Sequence, residues 1–342
     1  MKYYYKLNDV TQGLNKLREN GLTRGKETGF PFDNLGISIK PGCTTYLAGA
    51  PASGKSEFWL EILINLSCLY DWKHVIFTPE TGNVQEVYAE LCFKYINKPY
   101  FSTVDGCMSE AERVKAEMFI SEHFIVVDPK DDTITIKDYY KVVDDIEQEY
   151  GITVNTTTID PFNEVKHELG AGRQDLYIEE ILGECRRNAR ATKRHNCLIT
   201  NVRDQPIIEK EGKRFCPIPT PREFAGGQAW FRKGEQMVIV WRPPYGVTRD
   251  NGDGTYQANE CIIRVAKEKP KGASKKGDYT FYYDKGKNAY YYEENNAKYY
   301  AKRDLKLEQK KINLEPKPSM DSYIRGDSFT RATDEDLDSL PF

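Results

Sequence analysis

Residues 49–56 read GAPASGKS, a G-x-x-x-x-G-K-S spacing that joins two glycines to a lysine and a hydroxyl. That combination handles phosphate. A loop of small residues (Gly49, Ala50, Pro51, Ala52, Ser53 and Gly54) lets backbone N–H groups turn inward around a polyphosphate. Lys55 reaches the terminal phosphates and the Ser56 hydroxyl meets Mg2+, so the cofactors called for are ATP and Mg2+. Hydrolysis also needs an oriented metal and a polarised water. Two acids stand where they could supply these. Asp160 closes the apolar run TTTID and Glu80 closes HVIFTPE. In an open α/β sheet the carboxyl ends of neighbouring strands meet at the ligand crevice. Asp160 can then orient Mg2+ through its water shell, and Glu80 can activate the attacking water. Alone, each acid reads equally as a helix cap or a surface carboxylate. Beside the phosphate loop they favour an ATPase over a kinase, which calls for no base at Glu80.

The loop needs a strand before it, CTTYLAGA, and a helix after it, SEFWLEILINLSCLY, with Phe58, Ile62, Leu66 and Leu69 on one face. The helix aims its positive end at the phosphates. Further apolar runs (HVIFTPE, FIVVD, TTTID, CLITNV, MVIVW) alternate with helical patterns. One helix is expected over 175–195, with Ile178, Ile181, Leu182, Cys185 and Ala189 sharing a face. The class is α/β, with a mostly parallel central sheet flanked by helices. After Trp241 the turn signals NGDG (251–254) and DKGKN (284–288) predict C-terminal β-hairpins. The block FYYDKGKNAYYY reads as a strand pair with half-buried tyrosines, in preference to a base-stacking platform. Residues 8–20 predict a short helix with Val10, Leu14 and Leu17 on one side.

The 342 residues are 39% hydrophobic and 30% charged, enough for a core and a soluble surface. No apolar run approaches the roughly 20 residues that span a bilayer, and MKYYYKLNDV lacks the apolar centre of a signal peptide. No membrane and a cytoplasmic location are expected. Eight cysteines without a C-x-x-C pair and four unclustered histidines argue against zinc or a disulfide framework. Net charge is −3 but uneven: residues 264–287 hold eight Lys or Arg against three acids, whereas the last ten residues hold four acids and no base.

Several stretches, in order, resemble the RecA-like motor domain of hexameric replicative helicases, the superfamily-4 group of DnaB and Twinkle, in its Twinkle and phage branch. They include GLTRGKETGFPFDNL, GAPASGKSEF, FTPETGNVQEVYAELCFKYINKPY, IDPFNEV, CRRNAR, PIPTPREFAGGQAWFRKGEQMVIVWR and RVAKEKPKGASKKGDYTFYYDKGKNAYYY. The resemblance implies an ATP-driven helicase: a ring, usually of six subunits, with ATP between neighbours and single-stranded DNA passing through 5′ to 3′. It makes the helix at 8–20 a linker that packs on the next subunit. Three parts are expected: a linker segment over 1–24, a RecA-like ATPase domain over 25–302, and a tail over 303–342 whose polar, acidic composition predicts disorder. Lys55 and Ser56 are implied to bind phosphate and Mg2+, Glu80 to be the catalytic base, and Asp160 the Walker B acid.

The chain departs from the pattern twice. Asn201 stands where the group has a His or Gln phosphate sensor. Lys267 and Lys269 match a Lys-x-Arg that reaches the neighbour's ATP, so a lysine replaces the finger arginine and loses its bidentate fork. Arg232 and Arg264 are candidate substitutes. Loops facing the channel would offer Arg173, Lys210, Lys213 and Arg214 to DNA phosphates, the alternative being solvated loop charges. With no domain ahead of the linker, priming is expected to fall to another protein. The tail DEDLDSLPF resembles the acidic tip of bacterial single-stranded-DNA-binding proteins, which implies docking of Phe342 on replication proteins. Phage origin would put the protein in a bacterial host's cytoplasm. Two other readings stay open: a recombination or annealing ATPase that forms filaments, and a DNA-binding ring or loader with weakened hydrolysis.

Overall fold

The computed structural model describes residues 4–22, 24–129, 134–167, 174–249 and 252–303. Arg173 and the acidic tail with Phe342 lie outside them. The six apolar runs form six strands: β1 (Thr44–Gly49), β2 (His74–Phe77), β3 (Phe124–Val126), β4 (Thr156–Ile159), β5 (His195–Asn201) and β6 (Gln236–Trp241). They pair in parallel in the order β6-β1-β5-β4-β2-β3. Every residue of β1, β2, β4 and β6 is buried, which is why these strands read as unbroken apolar runs and not as alternating ones. The threonines of β4 are buried with partners: Thr158 accepts from Trp59 Nε1 at 2.8 Å and Thr157 donates to Asn196 at 2.7 Å.

Helices α1 (Thr11–Asn20), α2 (Lys55–Tyr70), α3 (Val84–Ile96), α4 (Glu110–His123), α5 (Ile136–Tyr150) and α6 (Gln174–Thr192) complete the regular helices of eight or more residues among the described ones. One core cluster gathers Phe58, Trp59 and Leu63 of α2 with Leu91 of α3 and Ile120 of α4. The other gathers Tyr139 of α5 with Ile178, Leu182 and Cys185 of α6. The sheet lies between them, its residues divided between the two clusters.

Four antiparallel strands extend the sheet to ten: β7 (Glu260–Lys267), β8 (Gly277–Asp284), β9 (Ala289–Glu294) and β10 (Ala297–Tyr300). The tyrosines form cross-strand pairs. Tyr282 and Tyr291 stack at 5.4 Å between centroids, and Tyr291 meets Tyr300 at 5.4 Å. The Tyr-rich block is thus a sheet element, as its alternation indicates.

One expectation is exceeded. The spacing of apolar residues predicts a single apolar face for the helix after the phosphate loop, yet α2 is buried nearly all round, Glu61 and Asn65 included. Glu61 Oε2 accepts from the Tyr290 N–H at 2.7 Å and Asn65 donates to the Thr28 carbonyl at 2.9 Å. The C-terminal hairpin and the segment near Thr28 cover its polar side.

Residues 4–21 belong to a unit of their own. A 3-10 turn (Leu7–Val10) leads into α1, which buries nothing. Its Val10, Leu14 and Leu17 are each about two-fifths exposed.

Lys94, on α3, is fully buried. Its Nζ lies 2.5 Å from Glu57 on α2, 2.7 Å from Asn288 Oδ1 in the β8–β9 turn and 3.8 Å from Glu90. Burial pushes the Glu57 carboxyl up, but the charge and hydrogen bond of Lys94, with smaller help from Glu90 and Arg242, together hold the group below its usual range. Replacing Lys94 by Met would strand Glu57 without its cation. Lys94→Met should therefore destabilise the fold by about 3–5 kcal/mol, read from urea unfolding. A loss below about 1 kcal/mol would show that the pair is no more than a surface ion pair.

Candidate active site

β1 ends at Gly49, residues 50–54 bend back, and Lys55 opens α2. The bend tolerates no side chain at its two glycines. A Cβ on Gly49 would collide with Ser53 Oγ and approach the Val240 carbonyl to 2.5 Å; one on Gly54 would strike the Tyr290 hydroxyl, and Gly54 has φ +87°. The Ser53 N–H closes the turn on the Ala50 carbonyl at 3.1 Å. The N–H groups of the first turn of α2, without partners inside the helix, face outward at the loop.

Asp160 follows β4, and its N–H bonds the Phe77 carbonyl of β2 at 2.9 Å. Its side chain is nearly all buried, at 4% exposure. Burial pushes its carboxyl up to about 6. The hydrogen bond from Ser56 and the charge of Lys55 oppose that rise, while Glu80 and Glu57 add to it. Ser56, Lys55, Asp160 and Glu80 thus share one electrostatic neighbourhood, assembled from the loop, β4 and the end of β2. Glu80 is exposed on a 3-10 turn (Pro79–Thr81). Just beyond, Asn83 caps α3 in a reciprocal box with Glu86, at 3.0 and 2.8 Å, and fixes where the turn ends. Asn201 ends β5 in register with Gly49. Its Oδ1 is buried with no hydrogen-bond partner among the described residues, as are Ser53 Oγ and Thr78 Oγ1. Ser56 and Asp160 are hard oxygen donors of the kind that suits Mg2+.

Two residues at this site escape a reading of the sequence. Tyr290, on β9, donates its hydroxyl to the Gly54 carbonyl at 2.9 Å and packs edge-on against Phe58 at 5.6 Å. Arg242, just past β6, lies 3.8 Å from the position a Gly54 Cβ would take. Neither belongs to a local motif; both arrive from far along the chain. Only the Tyr-rich run hints at the first.

The lysines Lys267 and Lys269 are not brought to this loop. β7 runs antiparallel to β6, and Lys267 pairs with Met237, which pairs with Tyr46. They lie toward the amino ends of the parallel strands, the opposite end of the sheet from Gly49. Lys267 Nζ donates to the Phe231 carbonyl and sits 5.1 Å over its ring; Lys269 is exposed. Arg264 is bound to Asp278 at 2.7 and 2.6 Å, and Arg232 stands 3.9 Å from Glu179. Lys210, Lys213 and Arg214 fall on a hairpin (Ile208–Lys210 with Lys213–Phe215) after β5. Lys210 and Lys213 are exposed; Lys213 and Arg214 donate to the carbonyls of Gly252 and Tyr245 at 3.3 and 3.2 Å.

With known proteins the chain shares both sequence and fold. It is 26% identical over 278 residues to the Twinkle homolog protein, chloroplastic/mitochondrial, of Arabidopsis thaliana. The alignment takes in 78% of this chain and 36% of that protein, so the chain spans about a third of the relative's length. A solved ATPase domain superimposes with a TM-score of 0.65 at 15% identity, over 84% of this chain and 98% of that one. A DnaB-like replicative helicase, solved in a study of its interactions with primase, gives 0.64 at 14% identity, over 84% and 68%. The chain resembles the DnaB/Twinkle group. No protein-family model matches it.

In this DnaB/Twinkle-like fold the C-terminal hairpin grips the phosphate loop through one hydroxyl. Tyr290→Phe should keep the fold and cost about 1 kcal/mol of stability. A loosened loop should weaken binding of a fluorescent ATP analogue roughly fivefold. Affinity within twofold of the parent would mean that Gly54 holds its conformation without the tyrosine.

Proposed function

We propose that the chain is an ATP-hydrolysing replicative DNA helicase that translocates on single-stranded DNA as a ring of, by resemblance, six copies. The observation that carries this reading is the tight Gly49–Gly54 bend between β1 and α2, which admits no Cβ at either glycine, at the same edge of the sheet where β4 ends just before the buried Asp160. The loop backbone and Lys55 hold the phosphates of ATP. Ser56 and Asp160 would hold Mg2+, which would supply positive charge at the phosphates. Glu80 takes a proton from the attacking water. Asn201, beside Gly49, is the phosphate sensor. Lys267 and Lys269 act on the ATP of a neighbouring copy, a role in keeping with their distance from their own loop. The exposed face of Val10, Leu14 and Leu17 suits packing of α1 on another subunit. Lys210, Lys213 and Arg214, with Arg173, contact the DNA backbone. Direction 5′ to 3′, phage origin, a cytoplasmic location, primase as a partner by analogy with the DnaB-like neighbour, and docking of the acidic tail on other replication proteins complete the reading. Among the described residues no helix is long and apolar enough to cross a membrane. A second reading, a DNA-binding ring with slow hydrolysis, draws on Asn201 and Lys269.

Unwinding of forked DNA with ATP tests the proposal directly. Electron microscopy with ATP and single-stranded DNA separates closed rings, the expected outcome, from the helical filaments of a recombinase. Glu80→Gln should retain nucleotide affinity and assembly and lose at least about 100-fold in turnover; equal loss of binding would make Glu80 structural. Lys269→Ala subunits mixed with Lys55→Ala subunits should regain part of the ATPase, because some interfaces pair an intact loop with an intact Lys269. No recovery at any mixing ratio would remove Lys269 from the neighbour's site.

A further inference from the structure

Thr78 separates β2 from the turn that carries Glu80. It stands at the cap position just before that turn, where a threonine hydroxyl ordinarily bonds the backbone, but its side chain makes no capping bond. Its side chain is 3% exposed, and Oγ1 has no hydrogen-bond partner among the described residues. A buried hydroxyl left unpaired costs stability, so its presence calls for a partner that arrives with the substrate.

The pleat indicates where this hydroxyl points. Val75 and Phe77 pack in the cluster of Tyr139 and Ile159, whereas Ile76 packs in the cluster of Phe58 and Trp59. Alternation along the strand gives Thr78 the second side, toward α2. On the neighbouring strand, Thr158 meets Trp59 of α2 while Ile159 faces the other way; Asp160 therefore shares the side of Thr78. Phe77 and Ile159 are in register, so Thr78 and Asp160 are lateral neighbours. The unpaired hydroxyl faces the region held by Asp160 and Ser56, two residues before Glu80.

We propose that Thr78 is a water-positioning residue for hydrolysis, an assignment that rests on the ATPase reading. The attacking water has two hydrogens. Glu80 takes one; Thr78 Oγ1 accepts a hydrogen bond from the other and turns the water's lone pair toward the terminal phosphorus. The new bond is water oxygen to γ-phosphorus. The bond from that phosphorus to its bridging oxygen breaks with its electron pair on ADP, and the proton on Glu80 is later released to solvent.

The test is Thr78→Val, which swaps the hydroxyl for a methyl of like shape. A structural role for the hydroxyl and a role in hydrolysis move the readouts in different directions. We expect an unchanged or higher Tm, affinity for a fluorescent ATP analogue within twofold of the parent, and kcat lower by about 10- to 100-fold. Thr78→Ser, which restores the hydroxyl, should recover most of kcat. Parent-like kcat in Thr78→Val overturns the assignment, as does a loss of affinity or of Tm that matches the loss of kcat, or a failure of Thr78→Ser to recover. If the parent protein itself turns over no ATP, the ATPase reading falls and this assignment with it; if the parent turns over and Thr78→Val matches it, only this assignment falls.

Discussion

A carboxylate that is almost cut off from water sets the terms for the rest of this molecule. Asp160 is held in that condition by groups from one helix start: the Ser56 hydroxyl and the Lys55 charge relieve part of what burial imposes. The helix start has to meet the end of β4 for this to work. That requirement fixes the bend after Gly49, which leaves no room for a side chain between Ser53 and the Val240 carbonyl. It also requires β4 to run parallel to its neighbours, so that Phe77, Gly49 and Asn201 end at the same edge. The order of the strands follows from what their last residues have to share.

The C-terminal hairpin has a larger part in this than its position at the far side of the sheet implies. It reaches the start of α2 directly at two places, Tyr290 Oη on the Gly54 carbonyl and the Tyr290 N–H on Glu61, and indirectly at a third, through Asn288 on Lys94 of α3, which in turn holds Glu57. Glu57 and Glu61 are one turn apart on the helix. Each is close to a buried cation or donor, so the first two turns of α2 are clamped from the side that would otherwise face solvent. α3 enters the same clamp through Lys94 and Glu90, and α3 begins just after Glu80. The turn that carries Glu80 and the Gly49–Gly54 loop are thus tied to one charged cluster.

Much of this is legible in the residues. Strands buried on both faces must be apolar without interruption, and the six runs from TTYLAGA to MVIVW stand out for that reason. The phosphate loop is legible because its spacing is set by backbone approach to a ligand. The helix expected over 175–195 is α6, Gln174–Thr192, marked by a face of Ile178, Ile181, Leu182, Cys185 and Ala189. What is not legible has a common cause. Tyr290 and Gly54 are 236 positions apart, and a contact over that distance leaves no period in the sequence. The full burial of α2 is hidden because Glu61 and Asn65 look like a solvent face until their partners on β9 and near Thr28 are known. The hairpin of Ile208–Lys210 and Lys213–Phe215 reads as a loop, since strands of three residues with alternating charge carry no apolar signal.

The placement of Lys269 at the opposite end of the sheet from Gly49 has a consequence for symmetry. If, as proposed, Lys269 serves the phosphates of a neighbour within a ring, each contact would carry the lysine of one copy to the loop of the next. Repeated in one direction, such a contact is head-to-tail and has no two-fold axis. Two copies joined in that one direction would leave one loop and one lysine unmatched, so a dimer would not be a stopping point for it. Growth ends only when the rotation from copy to copy closes on itself; otherwise it continues as a helix. Ring and filament are then two values of one angle, and a few degrees at a single interface decide between them.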